Sequence, residues 1–186
     1  MSNGEKAGVS NPYWNDALKR GLLAALVVVI LDFVTKHWAL ETLFARSVRI
    51  EVMPSLNFTP VWNRGVSFGL FASDSPYTPW LLSGFAIVVT IVLVLWLRKS
   101  SGWSAVYGLG LIIGGAVGNV IDRLRFGAVV DFIDVYWQTW HWPAFNIADS
   151  AITVGVGLLF LEAFGIGAGA KPEQLNEEPG ERNENG

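Results

Sequence analysis

The chain has 186 residues, of which 52% are hydrophobic and only 16% charged, with nine Trp and a mean hydropathy of +0.40. Soluble domains carry about a quarter charged residues, so this composition indicates a membrane protein, and the length allows one domain. A net charge of −3 gives no basic footprint for nucleic acid, and the lack of Cys excludes disulfides, thiolate metal sites and a Cys nucleophile.

Residues 1–15 read as a polar N-terminal segment ahead of a membrane domain over 16–168. The first apolar run, 21–40, has the roughly 20 residues that a spanning helix needs, although Asp32 and Lys36 interrupt it. Lys19 and Arg20 before it resemble the start of a signal peptide, but no small-residue cleavage site follows. The loop over 41–79 is β-prone, since "SVRIEVMP" alternates apolar and polar residues and "LNFTPVWN" and "GVSFGLF" are rich in strand formers. Asn63-Arg64-Gly65 marks a turn between the last two. A small curved sheet on the outer membrane surface is expected, with Trp62, Phe68, Leu70 and Phe71 placed to touch lipid or substrate. Further spans are expected at 80–97, 103–121 and about 145–166, and Trp80, Trp96, Trp103 and Trp142 lie at their ends. Such amphipathic rings favour the headgroup level. Residues 169–186 read as a disordered acidic tail. The fold class is thus a mainly α membrane protein, with four transmembrane helices and an extracytoplasmic β-sheet between helices 1 and 2.

With four spans, Lys19-Arg20 and the short Arg98-Lys99 connection fall on one side, which the positive-inside rule makes cytoplasmic. Both termini are then cytoplasmic. The bias is modest, because Arg46, Arg49, Arg64, Arg123 and Arg125 lie opposite. At 1.5 Å per residue, Asp32 lies about 17 Å from the inner end of the first span, with Lys36 one turn further on. The third span runs outward and brings Asn119, Asp122 and Arg123 to its outer end, and the fourth opens there with Asn146 and Asp149. Asp32, Asp122, Asp131 and Asp149 therefore converge toward one face of the bilayer. Scattered charges would land on both.

Plainer explanations exist for each feature. Asp32 with Lys36, or Asp122 with Arg123, can form ion pairs that hold helices together. Gly110, Gly114 and Gly118 form consecutive GxxxG steps, whose default role is close helix packing. Glu162, His37 and His141 read as interfacial residues, and no HExxH zinc motif exists. Gly65-Val66-Ser67-Phe68-Gly69 matches G-x-S-x-G, but that motif needs an elbow in a large α/β sheet for which this chain has no room.

Carboxylate chemistry remains. Two aspartates in a small, partly dry site cannot both ionise cheaply, so one is kept protonated. The ionised partner can take a proton from water while the other hydrogen-bonds a scissile carbonyl, which hydrolyses amides without metal or cofactor. Residue physics alone leaves an ion- or proton-coupled small membrane transporter as the alternative, although transporter sites usually lie at the midplane between repeated halves. No repeat is visible in this chain.

Five ordered motifs over about 31–150 resemble those of the bacterial lipoprotein signal peptidases (signal peptidase II). They are Asp32-x-x-Thr35-Lys36, Asn63-Arg64-Gly65-Val66-Ser67-Phe68, Gly114-Gly115-Ala116-x-Gly118-Asn119-x-x-Asp122-Arg123, Val130-Asp131-Phe132 and Phe145-Asn146-x-Ala148-Asp149. The resemblance implies a membrane-embedded aspartic endopeptidase of the bacterial inner membrane. It implies removal of signal peptides from prolipoproteins by cleavage before a diacylglyceryl-modified Cys. It assigns the catalytic dyad to Asp131 and Asp149, with Asp134 as the rival that only the resemblance sets aside. Asp32, Lys36, Asn63, Gly65, Asn119, Asp122, Arg123 and Asn146 become substrate-binding or supporting residues. Lipid-modified prolipoproteins and membrane lipids are the expected partners, no metal is expected, and a monomer suffices.

Overall fold

The computed structural model describes residues 12–65 and 75–167. The expected strand at 65–71, with Phe68, Leu70 and Phe71, therefore lies almost wholly outside the described residues, as do the G-x-S-x-G serine and the acidic tail.

Helix α1 (Pro12–Ala39) begins well before the apolar run, so Lys19 and Arg20 are helical, and it continues as a π-helical turn, Leu40–Phe44. Ala25 and Val28 point into the protein, whereas Leu22, Leu23, Leu26, Val27, Ile30, Phe33 and Val34 are between 42% and 61% exposed. Two short antiparallel strands follow, β1 (Ile50–Met53) and β2 (Leu56–Asn63). Helix α2 (Thr78–Leu97) exposes most of its apolar surface, including Leu81 and Phe85. Surfaces of this extent are rare on soluble monomers and ordinary against lipid. Among the described residues, α2 and α3 (Trp103–Phe126) are long and apolar enough to cross a membrane.

Helix α3 is central and packs against α1, α2 and α4 (Ile147–Ala163). Its glycines permit this, as expected from their spacing. A methyl on Gly114 would sit 2.6 Å from the Ala25 carbonyl of α1, and one on Gly115 would collide with the Ala148 carbonyl of α4. Helix α3 runs five residues beyond the expected end at 121, so Asp122 and Arg123 lie within the helix rather than at its edge. It stops at Gly127, whose φ of 70° only glycine adopts without strain, and whose N–H closes on the Arg123 carbonyl.

The sheet corrects the expectation most. It is four-stranded and antiparallel in the order β1-β2-β3-β4, with β3 (Val129–Trp137) and β4 (Trp140–His141) supplied by the connection between α3 and α4. It is therefore not built between helices 1 and 2 alone. The first four residues of β3 are all buried, which erases the period-two signal of a half-exposed strand. Phe132 joins Ala39 and Leu43 in a small core between the sheet and the end of α1.

Candidate active site

The geometry starts where β3 meets the N-terminus of α4. Phe145 and Ile133 exchange backbone hydrogen bonds of 2.9 and 3.1 Å, stitching the approach to α4 onto β3. Asn146 then caps α4. Its side-chain oxygen accepts the Asp149 N–H at 2.9 Å, and the Asp149 carboxylate accepts the Asn146 N–H at 3.3 Å. This reciprocal cap satisfies two of the helix's free donors. The Asn146 side-chain NH₂ is left to reach Asp131 on β3, at 2.7 Å. One buried asparagine thus holds Asp131 and Asp149 together.

Two further amides complete the pair. Asn63, at the end of β2, donates to the second Asp131 oxygen at 2.9 Å, placed there by the register that sets Val61 opposite Asp131. Asn119 of α3 donates to Asp149 at 2.9 Å. Each of the four carboxylate oxygens accepts an N–H. Burial, and then the neighbouring Asp149 carboxylate, push the Asp131 pKa up to about 7, against the opposing pull of Asn63, Asn146 and Lys36.

A second layer lies behind. Lys36 is buried and reaches Asp32 at 2.7 Å, Asp122 at 2.9 Å and the Asn119 side-chain oxygen at 3.1 Å. Asp32 and Lys36 pair as the sequence suggested, but Asp122 pairs with Lys36 rather than with its neighbour Arg123. Neither Asp32 nor Asp122 touches the dyad. Asp32 accepts the Ala148 N–H at 2.9 Å, and Asp122 accepts the Val130 N–H at 3.1 Å. Arg123 donates to the Gly65 carbonyl at 2.9 Å, while the Gly65 N–H donates to the Asn63 side-chain oxygen at 3.0 Å. The backbone groups of Val130 and Ala148 escaped sequence reasoning, because main-chain donors carry no side-chain signature. Asn57 escaped too, and it belongs to another cluster.

That cluster holds Asp134, the rival aspartate. Asn57 donates to it at 3.0 Å and His141 lies 2.7 Å away. Burial works to raise its pKa, but these hydrogen bonds outweigh it and hold the carboxyl below the ordinary aspartate value. Asp134→Asn is therefore expected to cost on the order of 1 kcal/mol of stability and to leave turnover per folded molecule near the wild-type level. A dead, folded Asp134→Asn enzyme would transfer the chemistry to this cluster. His37 lies at the surface beside Glu41, at 3.3 Å.

Two hollows meet at Asn63 and Asp149. One, of about 380 Å³, runs along Trp142, Pro143, Ala144 and Phe145 to Thr153 and Val154. The other, of about 180 Å³, lies against Ala86, Ala116, Asn119, Arg123, Val129 and Ile152. Trp62, also expected near substrate, is half exposed and packs edge-on against Phe44, with ring centres 4.7 Å apart. Among the described residues no group of three or more His, Asp or Glu side chains is arranged to hold a metal ion.

Residues 24–165 match the family model described as signal peptidase (SPase) II. A lipoprotein signal peptidase of Shewanella piezotolerans is 41% identical over 160 residues, covering 85% of this chain and 94% of the relative. One of Vibrio cholerae is 42% identical over 149 residues, covering 78% and 86%. A solved structure described as a bacterial membrane enzyme superposes with a TM-score of 0.68 at 32% identity, covering 87% of this chain and 93% of its own.

Proposed function

The chain belongs to the signal peptidase II family, and from that premise we propose that Asp131 and Asp149 are the catalytic dyad with which it works. It is a bacterial membrane peptidase that removes signal peptides from prolipoproteins, and the transporter alternative falls away. The aspartic mechanism is our reading. The observation that carries it is Asn146, one buried residue bonded to both carboxylates, of which Asp149 lines both hollows.

Asp131 holds the shared proton, consistent with a pKa of about 7, and Asp149 serves as the base. Asp149 takes a proton from water as the water oxygen bonds to the scissile carbonyl carbon. Asp131 gives its proton to the carbonyl oxygen, forming a neutral gem-diol. Collapse breaks the C–N bond. The leaving amine takes the proton from Asp149, and the diol hydroxyl returns one to Asp131. The cut falls before the diacylglyceryl-bearing Cys, with the peptide crossing the dyad from one hollow to the other and the acyl chains remaining in lipid. No cofactor enters, and a monomer contains every group used.

The mechanism sets a pH dependence. The working state has one proton on the pair, so raising the pH through about 7 ionises Asp131 and removes the acid. We expect kcat/KM to follow a bell with an alkaline midpoint about there, its two limbs belonging to the pair rather than to either residue. Activity unchanged into strongly alkaline solution would contradict a protonated carboxyl.

The topology is also proposed: one membrane unit over 16–168 with four spans, α1 to α4. Both termini are cytoplasmic, and the dyad and sheet lie at the outer face. The lipid-ready faces of α1 and α4, where Val154 and Phe160 are exposed, support two spans beyond α2 and α3. Reporter fusions at Lys171 and Ser101 should read cytoplasmic and one at Ser55 external. A cytoplasmic Ser55 would overturn the placement of the site.

A further inference from the structure

Lys36 lies in α1, lines neither hollow, and is 3% exposed. An ammonium has three N–H donors, and all three have partners here: Asp32, Asp122 and the Asn119 side-chain oxygen. Each partner in turn holds a dyad carboxylate or the backbone N–H of the residue before one. Asp32 grips the N–H of Ala148, the residue before Asp149, and Asp122 grips the N–H of Val130, the residue before Asp131. The Asn119 side-chain oxygen accepts from Lys36 and, at 3.3 Å, from the Asn146 NH₂, so Asn119 turns its own NH₂ toward Asp149.

We propose that Lys36 is a positioning residue: a single cation that sets the spacing of β3 and α4, and so of the two aspartates, and that, together with Asn146, locks the Asn119 amide in the orientation Asp149 requires. The proposal rests on the dyad reading. Without the ammonium, Asp32 and Asp122 face each other as like charges in a dry interior. They separate, and the backbone groups they hold move with them. Near-attack geometry tolerates little of this, since a misplacement of about 1 Å costs about 10²-fold in rate. Lys36 does not line the hollows, so the loss falls on kcat and not on KM.

Lys36→Met alone leaves buried carboxylates unbalanced and is at risk of misfolding. The informative variant is Lys36→Met with Asp32→Asn, which preserves net charge and leaves an amide oxygen for the Ala148 N–H. With purified, membrane-reconstituted enzyme and a diacylglyceryl-peptide substrate, kcat should fall about 10²-fold at nearly unchanged KM. A second variant, Asn119→Asp, keeps a partner for Lys36 but removes the NH₂. Its carboxyl donates to Asp149 only when protonated, so activity should recover as pH is lowered, whereas Asn119→Ala should be weak at every pH. The other charges facing Asp149 are Asp131 from β3, Arg123 from α3 and Lys36 from α1, and Asn119→Asp leaves all three in place. Wild-type kcat in the double variant, a loss confined to KM, or a wild-type pH profile in Asn119→Asp would overturn the role of Lys36. If the double variant does not fold, the Asn119→Asp profile decides. Turnover by folded Asp131→Asn or Asp149→Asn enzyme would instead overturn the dyad, whatever the Lys36 variants do.

Discussion

Asp131→Asn and Asp149→Asn are each expected to lower turnover by about 10²–10⁴-fold, the usual contribution of a positioned acid or base, while the lipidated precursor still binds. Asn matches Asp in size, so helix packing should survive. At position 131 the new amide oxygen can keep the Asn146 bond, but its NH₂ then meets the NH₂ of Asn63, whose own oxygen is held by Gly65. The local adjustment is one hydrogen bond, on the order of 1 kcal/mol, too small to explain a loss of that size. An amide cannot take a proton from water or alternate between charged and neutral forms. The double variant should be scarcely worse than either single one, because groups acting as one unit are not additive. Binding measured with the precursor and turnover measured on the same folded samples separate the two effects. Additive losses, or substantial turnover by either single variant, would give the aspartates independent binding roles.

The second large effect lies in the packing behind the site. A Cβ on Gly115 would collide with the Ala148 carbonyl oxygen and lie 2.7 Å from the Ile152 side chain. Backbone cannot yield as a side-chain tip does, so Gly115→Val must push α4 away from α3. Overpacking of this kind typically costs 1–3 kcal/mol, at times more, and here the displaced turn carries Asp149. Thermal unfolding in lipid should show a clear loss, and activity should fall further than the unfolded fraction explains. Gly157→Ala is the control. Nothing lies within 4 Å of a methyl there, and Ala favours the helix by about 0.5–1 kcal/mol over Gly. Equal behaviour of the two variants would mean that α3–α4 contact does not position the dyad.

These two cases show how far residue patterns reach. The glycine spacing on α3 identified a packing face because GxxxG has a period that matches the helix, and Gly110 and Gly114 indeed meet α1, whereas the contact of Gly115 with α4 lay outside that spacing. Helix positions were legible from apolar runs, but helix ends were not, since Asp122 and Arg123 interrupt the hydropathy without ending α3. Strands β1 and β2 form where the β-prone segments "SVRIEVMP" and "LNFTPVWN" lie. Strand β3 begins in a buried stretch without period-two alternation, and the partner strand needed to expose it lies more than sixty residues earlier in the chain. The site residues were named by motif, but their division of labour was not. Asn63, Asn119 and Asn146 touch the dyad, whereas Asp32 and Asp122 serve backbone N–H groups that no side-chain pattern announces. Proximity of Asp122 and Arg123 in sequence suggested a pair, yet adjacent helical residues point apart, and Lys36 from another helix takes Asp122 instead.

The central claim is that this chain cleaves a lipid-modified precursor with two carboxyl groups and nothing else. It is tested most directly by chelator-treated, purified enzyme in lipid nanodiscs, given a diacylglyceryl-modified prolipoprotein, with the products identified by mass. The account predicts a signal peptide ending at the residue before the modified Cys, released at the same rate with and without chelator. It predicts no such product from the Asp131→Asn, Asp149→Asn double variant. Activity lost to the chelator and restored by zinc, or cleavage by the double variant, would contradict it.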